Sequence, residues 1–305
     1  MLAIYYKGAS DKSVLPLNDF RPHSWLHLST PTSDELSLFA QQFHLDATLL
    51  SDAVDQYEVP RIEIEDRNVY IFTRYATEDG QVFQSHPFLI ILTKDSIITL
   101  SAQPAAFIDS LVETGKFLTT QKVKLAIKLL SLINLSFSQR LISIGKRLRL
   151  AISEPGQIKN KDILQLIELE NTLYDFTSSL TRIENGFTNF GKQIGVKLKE
   201  AESDAIDDLR LEVGQLTLIC KDSIRTVVNI RDTYNTILTN NLNRVIKFFT
   251  SLTVVITIPN IIASFFGMNV ALPLGSHPFA FAIIFLSAVF TSGYLAYIFI
   301  KKDWM

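Results

Sequence analysis

The sequence predicts an α+β cytoplasmic domain, built as an α/β/α layered sheet, then long stalk helices, then a C-terminal two-helix transmembrane hairpin. Three observations predict it. From Phe248 to Ile300 run 53 consecutive residues without an Asp, Glu, Lys or Arg. Up to about residue 120, short runs rich in Ile, Val, Phe and Thr alternate with turn signals. From about residue 121 the apolar residues recur at i, i+3, i+4 and i+7 with few breakers, the period of helices. All 60 charged residues lie outside the charge-free window, and the net charge is −2, so neither a wholly soluble enzyme nor a strongly basic nucleic-acid binder fits. A single cysteine, Cys220, excludes a disulfide framework and a zinc site of repeated cysteines.

Residues 2–7 and 24–29 have the composition of short strands. Thr30-Pro31-Thr32-Ser33-Asp34-Glu35 opens a helix through about His44, its acidic first turn matching the helix dipole. A second short helix covers 46–56. The stretch from Val59 to Ser101 is a meander of about four strands, with turns at Asp66-Arg67-Asn68, Glu78-Asp79-Gly80 and Lys94-Asp95. A helix near 104–116 closes this module. The next helix, from about 121, ends at Glu154-Pro155-Gly156. Another follows over about 161–190. A third runs from about 204 towards the bilayer, with no proline before Pro259. The domains are then 1–120, the α/β domain; 121–244, the helical bundle and stalk; 245–300, the hairpin; and 301–305, a basic tail.

A bilayer core of roughly 30 Å takes about 20 residues per helix, so the charge-free window suits two spans. These are 245–267 and 279–300, separated by the helix breakers Gly267, Pro273, Gly275 and Pro278. Arg244 and Lys247 precede the first span and Lys301 and Lys302 follow the second, while the loop carries no Lys or Arg. The positive-inside rule therefore puts both ends in the cytoplasm, with Tyr297 and Trp304 near the inner boundary. The first residues lack a basic segment followed by an apolar one, so no cleaved signal is expected.

Along the first span, small or polar residues fall at Asn243, Thr250, Thr253, Thr257, Asn260, Ser264 and Gly267. After the first step of seven, the spacing alternates three and four, which holds one helix face. In hydrocarbon such a face must meet protein or water. A seam of small residues between packed helices is one reading. A pore is the other, favoured because the stripe runs the whole span and its asparagines are large for a tight seam. Two spans cannot enclose a channel, so a pore requires an oligomer around an axis. The second span has only Ser287, Thr291, Ser292 and Gly293 as interruptions and suits an outer, lipid-facing ring.

The first span ends Phe266-Gly267-Met268-Asn269. A Gly-Met-Asn after the first of two C-terminal spans, led by a long charged helix, resembles the CorA family of magnesium transporters. The lead-in LTNNLNRVIKFFT, with Asn243 at the family's pore-facing asparagine, and the module around VPRIEIEDRNVYIF are similar as well. The resemblance covers about 60–305 and implies a homopentamer whose stalk helices line the pore. It implies Mg²⁺ influx, with Co²⁺ and Ni²⁺ as secondary substrates. Gly267, Met268 and Asn269 would then form the selectivity site at the outer mouth. Two departures stand out: Phe266 replaces the family's usual Tyr, and Val270–Leu274 lacks an acidic residue.

Mg²⁺ dehydrates reluctantly and demands octahedral oxygen ligands. The span has no carboxylate to compensate for a stripped ion. A ring of amide and carbonyl acceptors at Asn269, repeated at Asn260 and Thr257, would instead hold the ion through its own waters. Ile246 and Phe249 lie on or beside the same face near the inner mouth and suit an apolar gate that closes by dewetting; packing against a neighbouring stalk is the alternative. Near the start of the third helix, Glu202, Asp204, Asp207, Asp208 and Glu212 cluster. Like charges four apart repel, and a bound cation relieves them. The resemblance places the family's regulatory stalk aspartate at Asp208, with Asp204 beside it as a second Mg²⁺ ligand. The partner subunit would answer from the α/β module, with Glu78 and Asp79 the candidates. An acidic, solvated helix start is the other reading.

The cation is thus expected both as cargo and as regulator, with no organic cofactor and no nucleic-acid partner. No phosphate-binding glycine loop, HExxH, CxxC or GxGxxG occurs. His23 and His27 suit one short strand and a structural role. The basic run Lys146-Arg147-Arg149 suits a solvated helix face. Two other functions remain open: transport of zinc or another transition metal, against which the methionine of the motif argues, and a membrane-tethered sensor or scaffold.

Overall fold

The computed structural model describes all residues except 81, 154–159, 189, 196–197, 271–276 and 305. Two compact units emerge, Met1–Ile230 and Arg231–Met305.

Among its described residues the first unit holds seven strands, β1 (Leu2–Tyr6), β2 (Leu15–Leu17), β3 (Trp25–Ser29), β4 (Arg61–Glu65), β5 (Asn68–Asp79), β6 (Val82–Leu92) and β7 (Ile97–Ser101). They form one sheet in the order β2-β1-β3-β7-β6-β5-β4. Every pairing is antiparallel except β3 with β7, where Trp25 sits opposite Ile97 and Leu28 opposite Leu100. The expected four-strand meander is β4 to β7. Its first turn, Asp66-Arg67, has φ of 49° and 65°, the type I′ geometry that matches strand twist. Gly80, at φ 58°, turns the chain between β5 and β6.

Helices α1 (Ser33–Phe43) and α2 (Ala47–Asp52) cover one sheet face; α3 (Ala106–Thr114), α4 (Lys122–Ser153) and α5 (Asn160–Phe187) pack on the other. Alternation along the strands makes both layers possible. Tyr70, Phe72, Leu89 and Ile91 point to the α1–α2 side, while Val69, Ile71, Phe88 and Ile90 join the larger core opposite. The layered α/β/α prediction is therefore observed. Thr32 caps α1 in a capping box with Glu35.

Some details differ from the sequence reading. Strand β2 was not foreseen, since Leu15-Pro16-Leu17 is short and contains a proline tolerated only at a sheet edge. His23 lies before β3 in a left-handed conformation (φ 67°), so only His27 is on the strand. A one-turn helix, α6 (Phe190–Gln193), follows α5. Helix α7 (Glu200–Phe266) begins before residue 204 because the Glu202 carboxylate accepts the Lys199 N–H and caps the first turn. The expected stop at 154–156 lies outside the described residues.

Among the described residues three helices are long and apolar enough to cross a membrane: α4, α7 and α8 (Ala280–Lys301). Burial separates them. In α4, 56% of the apolar window is buried, against 6% in α7 and in α8. The apolar face of α4, with Leu125, Leu129, Ile133, Phe137 and Ile144, belongs to the larger core. Helix α4 is a core helix; α7 and α8 carry bare apolar surface.

Candidate ion pathway

In the second unit, α7 and α8 form the C-terminal pair. Ser251, fully buried on α7, shares its single hydroxyl proton between the Phe248 carbonyl (2.9 Å) and the Trp304 carbonyl (3.2 Å) beyond α8. Pro259, Ile262 and Ala263 share an apolar cavity of about 560 Å³ with Phe281, Ile284 and Ala288 of α8. Along 251–266 the buried or half-buried positions are Ser251, Leu252, Val254, Val255, Ile258, Pro259 and Ile262, centred on the row Ser251, Val255, Ile258 and Ile262. This face of α7 meets α8.

The polar stripe lies opposite. Asn243, Thr250, Thr253, Thr257, Asn260, Ser264 and Gly267 are all exposed in the single chain. At about 100° per residue, their mean direction is roughly 180° from the α8-facing row. Thr253 Oγ1 donates to the Phe249 carbonyl (2.8 Å) and Thr257 Oγ1 to the Thr253 carbonyl (2.7 Å). With their protons committed inside the helix, both hydroxyls offer outward only acceptors, the polarity that the waters of a hydrated cation require. The side chains of Asn243, Thr250, Asn260 and Ser264 form no hydrogen bond among the described residues. Ile246 and Phe249 are 52% and 60% exposed along the same face.

Helix α7 stops at Phe266, and the Gly267 N–H closes its last turn on the Ala263 carbonyl (2.9 Å). A Cβ at Gly267 would sit 3.3 Å from that carbonyl oxygen, a tight contact that a side chain could make only with a shift of a few tenths of an ångström. Met268 and Asn269 follow, both exposed. The acid-free loop continues into residues 271–276, outside the described residues.

In the first unit the acidic cluster separates into three fates. Glu202 caps α7. Glu212 accepts from Asn134 Nδ2 on α4 (3.2 Å), within the bundle. Asp204, Asp207 and Asp208 stay exposed, while their neighbours Ile206 and Leu209 are buried. Among the described residues no three His, Cys, Asp or Glu side chains converge on a metal position. Glu78, one of the two candidate partners, is already engaged. Its Oε1 accepts from Arg147 Nη2 (2.8 Å) and Ser143 Oγ (3.1 Å), and Arg147 also holds the Gly80 carbonyl (2.9 Å). Asp79 is exposed at the tip of the same hairpin. Sequence reasoning missed Asn134, Ser143 and Ser251. Asn134 could have been noticed as a lone amide within the apolar face of α4; nothing distinguishes Ser251 from other serines of the charge-free window. The Arg147 of the supposed solvated face also covers Phe83, its guanidinium 4.4 Å from the ring centroid.

The family described as CorA-like Mg²⁺ transporter protein matches residues 22–302. The chain belongs to this family. Its apolar C-terminal helices are those of a membrane transporter family. The fold is similar to the complete CorA magnesium transporter from Methanocaldococcus jannaschii, with a TM-score of 0.86 at 17% identity, over 100% of this chain and 99% of that one. The full-length CmaX protein aligns over 98% of this chain and 96% of its own, with a TM-score of 0.71 and 15% identity. The cytoplasmic domain of ZntB from Vibrio parahaemolyticus aligns over 78% of this chain and 98% of its own, with a TM-score of 0.64 and 10% identity. These likenesses, all at low identity, are likenesses of fold. No curated protein sequence matches the chain.

Proposed function

We propose that the chain assembles into a homo-oligomeric channel, expected to be a homopentamer, that admits hydrated Mg²⁺, with Co²⁺ and Ni²⁺ as secondary cargo. The observation that carries this reading is the exposed stripe of α7, polar and with no side-chain hydrogen bond outside its own helix among the described residues, on the side away from the face that meets α8. A polar row in hydrocarbon is tolerated where it lines water or meets a partner. A tether for the soluble unit has no need of one. Membership of the CorA-like family supports the same conclusion.

In this reading α7 and α8 are the two spans, both termini are cytoplasmic, and 1–120, 121–244 and 245–300 act as sensor domain, stalk and pore. Asn269 with Gly267 and Met268 holds the hydrated ion at the outer mouth. Asn260, Thr257, Thr253 and Thr250 pass it along by outer-sphere contacts, and Ile246 with Phe249 closes the inner end. Asp208 and Asp204 bind regulatory Mg²⁺, and the ligands missing within one chain come from a neighbour, with Asp79 the available carboxylate. Zn²⁺ is the competing cargo. The stripe holds no Cys, His or carboxylate, the ligands that favour transition metals, which argues for a hydrated hard cation.

The deciding experiment is uptake of Mg²⁺, Co²⁺ and Zn²⁺ into proteoliposomes holding the purified chain. Mg²⁺ flux is expected. Absence of flux for all three, from a chain shown to be oligomeric by light scattering, refutes the channel.

A further inference from the structure

We propose that the inner end of the α7–α8 pair is a binding site for the headgroup of an anionic phospholipid, built by Arg244, Lys247, Lys301 and Lys302 and positioned by Trp304. The proposal rests on the two-span reading above and adds a ligand that is not the transported ion.

The turn after α8 sets the geometry. Asp303 is left-handed (φ 56°), and the Trp304 N–H returns to the Phe299 carbonyl (2.9 Å). This is the Schellman closure, and its hydrophobic contact is present too. The Trp304 ring stacks on Phe299 at 5.7 Å and 8°. The Trp304 carbonyl then accepts from buried Ser251 of α7. The end of α8 is thereby pinned to one level of α7.

That pin decides where the cations go. Lys247 is four residues and Arg244 seven residues before Ser251, so both lie on the face of α7 that meets α8. Lys301 ends α8 and Lys302 caps it, three and two residues before the pinned tryptophan. Four cations thus gather within about two helical turns of one contact, away from the polar stripe. All four are exposed. Among the described residues no carboxylate is within ion-pair distance of any of them, Asp303 included. Their mutual repulsion is relieved by an anion lying between the two helices. Its source is the bilayer, because the cluster sits where the charge-free window ends on both helices. A tryptophan there is suited to the headgroup level, and juxtamembrane basic clusters bind acidic lipid.

The test uses the full-length chain in vesicles of equimolar phosphatidylglycerol and phosphatidylcholine, extracted gently, with retained lipid counted by native mass spectrometry. Phosphatidylglycerol should be enriched about tenfold over phosphatidylcholine, given the usual attraction per basic residue at a membrane surface. Replacing Lys247, Lys301 and Lys302 together by Gln should abolish the enrichment, and replacing them by Arg should keep it. Equal retention of the two lipids by the parent overturns the proposal, as does a Gln variant that still prefers the anionic lipid. The parent comparison decides even where the Gln variant does not fold. Displacement by inorganic phosphate at the lipid's concentration would make this a free-anion site and overturn the membrane source. A chain that keeps the enrichment but moves no ion supports the lipid site and refutes the transport reading alone.

Discussion

Replacing Asn269 by Ala tests the proposed selectivity site without touching the fold. Asn269 lies beyond the end of α7, exposed, with no side-chain hydrogen bond among the described residues. Its loss removes nothing that holds the chain together, so assembly should survive. The effect on the ion comes from the acceptors removed. A hydrogen bond is worth about 1 kcal/mol net, and more when one partner is charged. If three amides of a ring touch the hydrated ion at once, the loss is roughly 3 kcal/mol, or about a hundredfold in ion occupancy. Proteoliposome uptake at Mg²⁺ below saturation should fall by about that factor. Asn269→Gln, which keeps the amide but moves it outward, should fall less. Asn269→Asp should bind the ion more tightly and release it more slowly. Uptake by Asn269→Ala within about threefold of the parent, too small for even one lost contact to a charged partner, would refute outer-sphere capture at this residue.

Further outcomes follow from the same geometry. A membrane-impermeant thiol reagent applied from outside should label a cysteine at Gly275 and miss one at Asp303; labelling of both overturns the topology. Background from Cys220 should be low, since it is buried and burial pushes its thiol up to about 12. Asp208→Asn and Asp204→Asn should each raise the cytoplasmic Mg²⁺ needed to close the channel, and closure over the parental range by both would reduce these residues to a solvated helix start. Burial lowers His27 to about 4, opposed by the charge of Asp109, with its Nδ1 2.9 Å from the Thr99 hydroxyl. Because the folded value lies below the unfolded one, this stability is complete above pH about 6.5 and is lost as pH falls towards 4, about 3 kcal/mol in all. His27→Gln should flatten the acid limb of thermal unfolding between those values, and an unchanged limb would contradict this assignment.

The two apolar C-terminal helices and the polar stripe were legible without coordinates. A helix long and apolar enough to cross a membrane is dictated by composition over a fixed length, and a helix face by spacing alone, so the charge-free window Phe248–Ile300 and the row from Asn243 to Gly267 needed no tertiary information. The capping box of α1 and the β4–β5 turn were equally local. Long-range pairing decided the rest. The parallel join of β3 and β7 brings together residues about 70 positions apart, and no local pattern specifies it. Helix α4, like α7 and α8, is long and apolar enough to cross a membrane, and its packing on the sheet marks it as core. The acidic cluster read as one unit in sequence. Asn134 from α4 and the Lys199 N–H claim two of its members and leave Asp204, Asp207 and Asp208 to solvent. Side-chain partners from distant elements are invisible to periodicity, which is why Ser251 and its bond to Trp304 emerged only from the folded pair.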